Sequence, residues 1–324
     1  MRVTDDMIDP GLRLATKVVR LVVGKGEATE AQVRALKTPL MMRVSGILPR
    51  RGISVTDRSI RRPNQPEVKV IVATRTKSTS TNRPGILWIH GGGYSIGTPR
   101  GESAAIKEVL GLTDAVVVSP DYRLSTQAPY PAALDDCYLA LQWMKEHADE
   151  LGIRSDQLIV AGGSAGGGLT AAVSLRARNE GDVAVAFQMP LYPMIDDRPT
   201  PSSTDNNAPL YDGKTNESNW RVYLGDLFGD DVPETAAPAR ATDYRGMPPT
   251  ITFVGSVEPF RDETVTYVEN LRAAGVPVEF KEYRGAWHGF DALVKSSQIA
   301  KDATAWKQGH FTRYLESYFA PQSD

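Results

Sequence analysis

One serine sits among five glycines in VAGGSAGGGL, residues 160–169, directly after the apolar residues Leu158 and Ile159. Glycine loses more conformational freedom on folding than any other residue. A cluster of it therefore marks a backbone that must turn tightly or approach another group closely. Two chemistries use such a cluster: a loop that cradles phosphate, and a turn that presents a nucleophilic hydroxyl. Gly162, Ser164 and Gly166 fit G-x-S-x-G between an expected strand and an expected helix, the context a nucleophilic serine needs. The lysine of a phosphate-binding G-x-x-x-x-G-K-[ST] loop does not follow. A dinucleotide-binding G-x-G-x-x-G would use Gly163 and Gly166, but its first position falls on Ala161. The nucleophile reading is the stronger. The helix after Ser164 would also aim its free N-terminal N–H groups at the same point.

A serine hydroxyl is a poor nucleophile until a base takes its proton. The chain has four histidines. His147 and His310 lie in polar helical stretches and are expected to face water or pack. His90 ends a strand-like run, and His288 sits in YRGAWHGF after the last expected strand. Loops at strand carboxyl ends are well placed to reach a site built there, so both are eligible. The glycines of HGGGYSIG, residues 90–97, let backbone N–H groups turn toward a developing oxyanion. His90 then reads as a brace for that loop, which leaves His288 as base. The base in turn needs an orienting carboxylate. TITFVGSVEPFRDE offers Glu258, Asp262 and Glu263. The last two open a helix, where acids are favoured by the dipole for structural reasons. Glu258 comes first after the strand and is preferred.

These residues need a scaffold with several strand ends on one side. The chain has 324 residues, a hydrophobic fraction of 41% and a net charge of −2. That is the balance of a globular protein without a general basic field for nucleic acid. Its single cysteine, Cys137, lies in a helical pattern and reads as a packed thiol. The N-terminus carries early acids rather than the apolar core of a secretory signal, and no run approaches the ~20 apolar residues of a membrane span. A cytoplasmic protein is expected.

Residues 1–45 carry helical patterns: an apolar stretch from Leu12 to Val23, then a helix capped by Thr29 and broken near Pro39. ISVTDRSIRR and EVKVIVATRT read as two strands in a hairpin-like pair. GILWIH, AVVVSP, QLIVAGG, VAFQMPLYP, TITFVGS and VPVEFKEYRG follow as strands, with helical patterns between most of them. Short apolar strands alternating with helices predict an α/β fold with a mostly parallel sheet covered on both faces. Residues 196–246 interrupt the alternation. They are rich in Pro, Asp, Asn and Gly, with a helix expected around TNESNWRVYLGDLF, and they read as part of a lid.

The chain resembles the hormone-sensitive-lipase-like bacterial carboxylesterases of the α/β-hydrolase fold. The matching pieces are HGGGYSIG, SPDYRLSTQAPYPAALDD, GGSAGGG, VEPFRDE and WHGF, spread over residues 90–290. The resemblance implies an eight-stranded, mostly parallel sheet flanked by helices, with a helical cap. The cap would comprise residues 1–45 and the insertion 196–246, and the core residues 46–195 and 247–324. Carried over by position, Ser164 is the nucleophile, His288 the base and Glu258 the acid, in the family's chain order. Gly92, Gly93 and Ala165 would supply the oxyanion hole. Three positions depart from the family: Gly163 replaces an acidic or threonine residue, Glu258 a more usual aspartate, and Gln127 a glutamate.

The implied reaction is hydrolysis of short- to medium-chain carboxylic esters through an acyl-enzyme, without metal or cofactor. Tyr94, Tyr211, Trp220 and the N-terminal apolar helix are candidates to shape the substrate pocket, with ordinary cap packing as the alternative. The same triad could cleave an arylformamide or another amide, or deacetylate a small molecule. A non-catalytic ligand-binding relative is a further reading, opposed by the presence of serine, acid and histidine together. A small-molecule ester is the expected partner, with a homodimer suggested by family habit alone.

Overall fold

Val116–Pro120, Phe187–Leu191 and Thr250–Gly255 are buried along their whole lengths. Such runs suit strands sandwiched between helices. In a computed structural model, which describes residues 1–23, 27–40, 52–63 and 65–322, they join five more strands in one sheet. The strands are β1 (Ile53–Ile60), β2 (Val68–Arg75), β3 (Arg83–Ile89), β4 (Val116–Pro120), β5 (Ile153–Gly163), β6 (Phe187–Leu191), β7 (Thr250–Gly255) and β8 (Val278–Tyr283). Their order is β1-β2-β4-β3-β5-β6-β7-β8. β2 runs antiparallel to β1 and β4, and the remaining pairs are parallel. This is the expected α/β-hydrolase architecture, including the antiparallel pair at its start.

The order explains where a site can form. From β3 the chain moves to β4 on one side, then to β5 on the other. Connections leaving adjacent strands in opposite directions open a crevice at their carboxyl ends. The HGGG loop leaves β3 there, and Ser164 leaves β5 there.

The helices described are α1 (Arg13–Val23), α2 (Glu30–Arg34), α3 (Ser103–Leu112), α4 (Ala132–Glu146), α5 (Ala148–Leu151), α6 (Ala165–Glu180), α7 (Gly213–Leu224), α8 (Arg261–Ala273), α9 (Phe290–Leu293) and α10 (Gln298–Ser317). Alternate residues of β3 enter different core layers. Leu87 and Ile89 join the layer containing residues of α4 and α6, whereas Ile86 and Trp88 join the one containing residues of α3 and α10. Cys137 is buried in α4.

The N-terminal segment and the 196–246 insertion meet. Asp212 caps α7 by accepting from Thr215 N at 2.8 Å, and its other oxygen accepts from Glu27 N at 2.7 Å. Thr29 forms the capping box of α2 with Gln32. Within the insertion, α7 stops at Leu224, short of the expected end at Phe228, because Gly225 turns to φ +58°. On α1, Leu12 just before the helix and Thr16 point inward, while Leu14, Val18, Leu21 and Val22 are 77, 53, 85 and 77% exposed. The expected apolar helix therefore turns one stripe inward and a second outward. Residues 24–26 and 41–45 of the expected N-terminal piece lie outside the described residues. No helix among the described residues is long and apolar enough to cross a membrane.

Candidate active site

Ser164 adopts φ +61° and ψ −126°, a strained conformation for a residue with a side chain. The surrounding sterics account for it. A Cβ at Gly162 would lie 2.5 Å from the Ile89 carbonyl oxygen, and one at Gly166 only 2.2 Å from it. β5 can turn into α6 against β3 only with both side chains absent. The backbone of Ser164 is fixed on three sides: its N–H donates to Leu191 O, and its carbonyl accepts from Gly168 N and Met194 N.

The loop after β8 brings His288 to this turn. His288 Nε2 lies 2.9 Å from Ser164 Oγ, and Nδ1 lies 2.5 Å from Glu258 Oε2. Glu258 also accepts from Gly255 N at 2.5 Å, so both its oxygens are engaged. It is completely buried, and His288 is 6% exposed. Burial pushes the Glu258 carboxyl up, opposed by the neighbouring His288 and by its hydrogen bonds. A carboxylate at Nδ1 keeps the proton there, leaving the Nε2 lone pair for the serine hydroxyl. The rival acids turn elsewhere: Asp262 accepts from Ser202 N and pairs with Arg261, and Glu263 accepts from Ile195 N and Asp196 N.

The HGGG loop lies against the same turn. Gly92 has φ +121°, and its carbonyl accepts from Ser95 N and Ile96 N. A Cβ there would sit 2.0 Å from Ile96 O, so this tight turn requires glycine. Gly93 follows at φ +58°. Among the described residues, the N–H groups of Gly92, Gly93 and Ala165 donate to no other backbone group. His90 donates through Nδ1 to Gly91 O at 2.9 Å and stacks on Tyr122 at 4.1 Å. Burial holds its pKa down to about 4, so the ring is neutral. His147 and His310 sit elsewhere, against Trp143 O and Glu279 respectively.

Of the three aromatic residues singled out for the pocket, Tyr211 reaches the site, with its ring centre 5.5 Å from that of His288. Tyr94 and Trp220 are each 1% exposed; Tyr94 stacks on Tyr223, and Trp220 packs beside both rings in the seam under α7. Sequence reasoning missed Tyr192 and Phe260, whose rings meet His288 edge-on at 5.0 Å each. It also missed Asn219. This residue accepts from Ser95 Oγ at 2.9 Å and donates to Tyr211 Oη at 3.2 Å, tying α7 to the HGGG loop. Its only sequence signal is its place beside Trp220 in the insertion's helix. At the departures, Gln127 Oε1 accepts from Leu124 N at 3.0 Å, and Gly163 faces the ring of Tyr192.

Such a relay can remove a proton from the serine hydroxyl while nearby N–H groups receive negative charge on a carbonyl oxygen. A family model described as the alpha/beta hydrolase fold matches residues 86–292. Carboxylesterase NlhH of Mycobacterium tuberculosis is 35% identical over 308 residues, 92% of this chain and 93% of the relative. Esterase LipI of the same organism is 32% identical over 292 residues, covering 82% and 91% of the two chains. The solved structure titled "Bacterial Heroin Esterase" superposes with a TM-score of 0.86 at 34% identity, covering 97% of this chain and all of the other. The chain belongs to the α/β-hydrolase family, in the hormone-sensitive-lipase-like branch of bacterial carboxylesterases.

Proposed function

We propose that this chain is a serine carboxylesterase that hydrolyses short- to medium-chain esters by two-step acyl transfer. The observation that carries the reading is the continuous contact from Glu258 through His288 to Ser164. His288 takes the Ser164 proton as Oγ attacks the ester carbonyl. The N–H groups of Gly92, Gly93 and Ala165 receive the oxyanion, where one such donor contributes roughly 10²–10³ in rate. Collapse of the tetrahedral intermediate breaks the bond to the alcohol, which leaves with the proton from His288. Water, deprotonated by the same ring, then attacks the acyl-enzyme and releases the acid. Glu258 keeps the ring in the required tautomer and stabilises the imidazolium.

The cap in this reading comprises residues 1–45 and 196–246, resting on a core of 46–195 and 247–324. Contacts from Glu27 and Ala28 to Asp212 and Thr215 support a joint cap. The names of the relatives favour an ester over an amide substrate. Hydrolysis of p-nitrophenyl esters from acetate to laurate tests the reading. The wild type is expected to prefer the shorter chains, and Ser164→Ala to be inactive. A variant that keeps the wild-type rate would remove Ser164 from the mechanism.

A further inference from the structure

The HGGG loop, residues 90–97, is gripped at two separate points by elements outside the core. The first is Asn219 of α7. Ser95 Oγ donates to Asn219 Oδ1 at 2.9 Å, and Asn219 Nδ2 donates to Thr215 O at 2.9 Å and to Tyr211 Oη at 3.2 Å. A carbonyl only accepts, so the Thr215 contact fixes the amide with its oxygen toward the loop. The fit is close at Gly93 as well: a Cβ there would lie 2.8 Å from Asn219 Oδ1 and 3.0 Å from its Nδ2. Tyr211 carries the link onward, since its ring centre stands 5.5 Å from that of His288. One buried asparagine thus spans the oxyanion loop and the aromatic wall beside the base.

The second grip comes from the N-terminal segment. Gly97 N donates to the buried Thr38 Oγ1 at 3.1 Å, and that hydroxyl donates to Gly97 O at 3.3 Å. Gly97 packs in turn on His90: a Cβ at 97 would lie 2.4 Å from His90 Nδ1. Between the two grips, Gly92 O accepts from Ser95 N and Ile96 N, so a shift at Ser95 or Gly97 is carried to Gly92 and Gly93. The gripping elements are themselves joined, because Glu27 N donates to Asp212 and Ala28 N to Thr215 Oγ1. From the core side, Ser125 Oγ lies 2.9 Å from Ser95 Oγ, and Ser125 N donates to Tyr94 O at 2.8 Å.

We propose that Asn219 and Thr38 are positioning residues for the oxyanion hole: they hold the 92–97 loop from its two ends, and this aligns the Gly92 and Gly93 N–H groups on the reacting carbonyl oxygen. The inference rests on the esterase reading above and deepens it. Both residues act through the loop. Full charge collects on the carbonyl oxygen only as the tetrahedral intermediate forms. A displaced N–H therefore weakens that state more than it weakens the bound ester, and the loss falls on kcat rather than KM. A misplacement of about 1 Å costs up to roughly 10² in rate.

The test is p-nitrophenyl acetate hydrolysis by wild type, Asn219→Ala, Thr38→Val, Thr38→Ser and the Asn219→Ala/Thr38→Val double variant. Inhibition of each by a short alkyl trifluoromethyl ketone is measured alongside. Ser164 Oγ adds to the carbonyl carbon of that ketone, the proton passes to His288, and the hemiketal oxyanion occupies the hole. Asn219→Ala and Thr38→Val should each lower kcat roughly tenfold while KM stays within about twofold. Each should weaken the ketone by the same factor as kcat/KM, since both report the oxyanion. The double variant should lose less than the product of the two single losses, because both act on one loop. Thr38→Ser keeps the hydroxyl and should stay close to wild type. If the folded variants lose only thermal stability, or if KM alone rises, the residues are packing or line the substrate path and the proposal is overturned. Thr38→Val carries the test if Asn219→Ala does not fold. A wild type labelled at Ser164 by a fluorophosphonate, with kcat and ketone affinity unmoved in the variants, defeats this inference alone. A wild type without label or turnover defeats the esterase reading and the inference together.

Discussion

Replacing His90 by Phe should flatten part of the protein's acid instability. His90 is buried at 1% exposure, stacks on Tyr122, and has no partner for Nε2. Protonation would place a charge and an unsatisfied N–H in the core, which is why its pKa falls from 6.5 to about 4. On acidification the unfolded chain therefore binds this proton first. Between those two values the unfolded state holds more protons, and stability falls as pH falls. The His90 contribution is complete above about 6.5 and gone near 4. A depression of about 2.5 pH units, at about 1.4 kcal/mol each, gives a loss of about 3.5 kcal/mol. His90→Phe keeps a ring against Tyr122 but cannot take the proton. At neutral pH it should lose about 1–3 kcal/mol, because Gly91 O loses its donor. Urea unfolding of both proteins at intervals from pH 7.5 to 4 measures the effect. Carboxylates titrate in both proteins, so the difference isolates the imidazole. The gap between wild type and variant should close, then reverse, as pH falls. A gap independent of pH would refute the reasoning, since the folded protein would then protonate His90 as readily as the unfolded chain.

Other perturbations probe the remaining parts of the site. Glu258→Gln should keep the fold yet lower kcat about 10²–10⁴-fold, because the His288 tautomer is no longer enforced; steady-state kinetics with a melting curve would check it. Gly166→Ala forces a Cβ within 2.2 Å of Ile89 O. Overpacking against backbone should cost about 1–3 kcal/mol and abolish activity, read by thermal melting and ester turnover. Asn219→Ala removes the links to Ser95 and Tyr211. At about 1 kcal/mol for each neutral hydrogen bond, kcat/KM should fall roughly tenfold, and an unchanged acyl-chain profile would separate α7 from substrate selection.

The parts of the site legible in the sequence are those whose chemistry is written locally. Ser164 is flanked by glycines because β5 must turn against β3, and that requirement leaves a contiguous motif. His288 and Glu258 stand just past strands, so their position in the α/β alternation suggested a common site. The strands were readable because a sheet buried on both faces needs uninterrupted apolar runs. Tyr192 was not singled out because its role comes from packing on Gly163 and His288, residues distant from it in the chain. Asn219 was hidden for the same reason: nothing local marks a helix asparagine as the link to Ser95. Tyr94 and Trp220 show the converse. Their residue types suit a pocket lining, but their burial with Tyr223 makes them part of the seam under α7. On α1, Leu14 and Leu21 carry the pattern of a buried stripe yet remain exposed, because Leu12 and Thr16 already form the inward face.

The central claim is that Ser164 is the nucleophile and that His288 activates it. Intact-mass analysis after treatment with a fluorophosphonate, followed by peptide mapping, tests it most directly. The account predicts one adduct per chain on Ser164 in the wild type, none in Ser164→Ala, and much slower labelling in His288→Ala. An adduct on another residue, or labelling of His288→Ala at the wild-type rate, would contradict it.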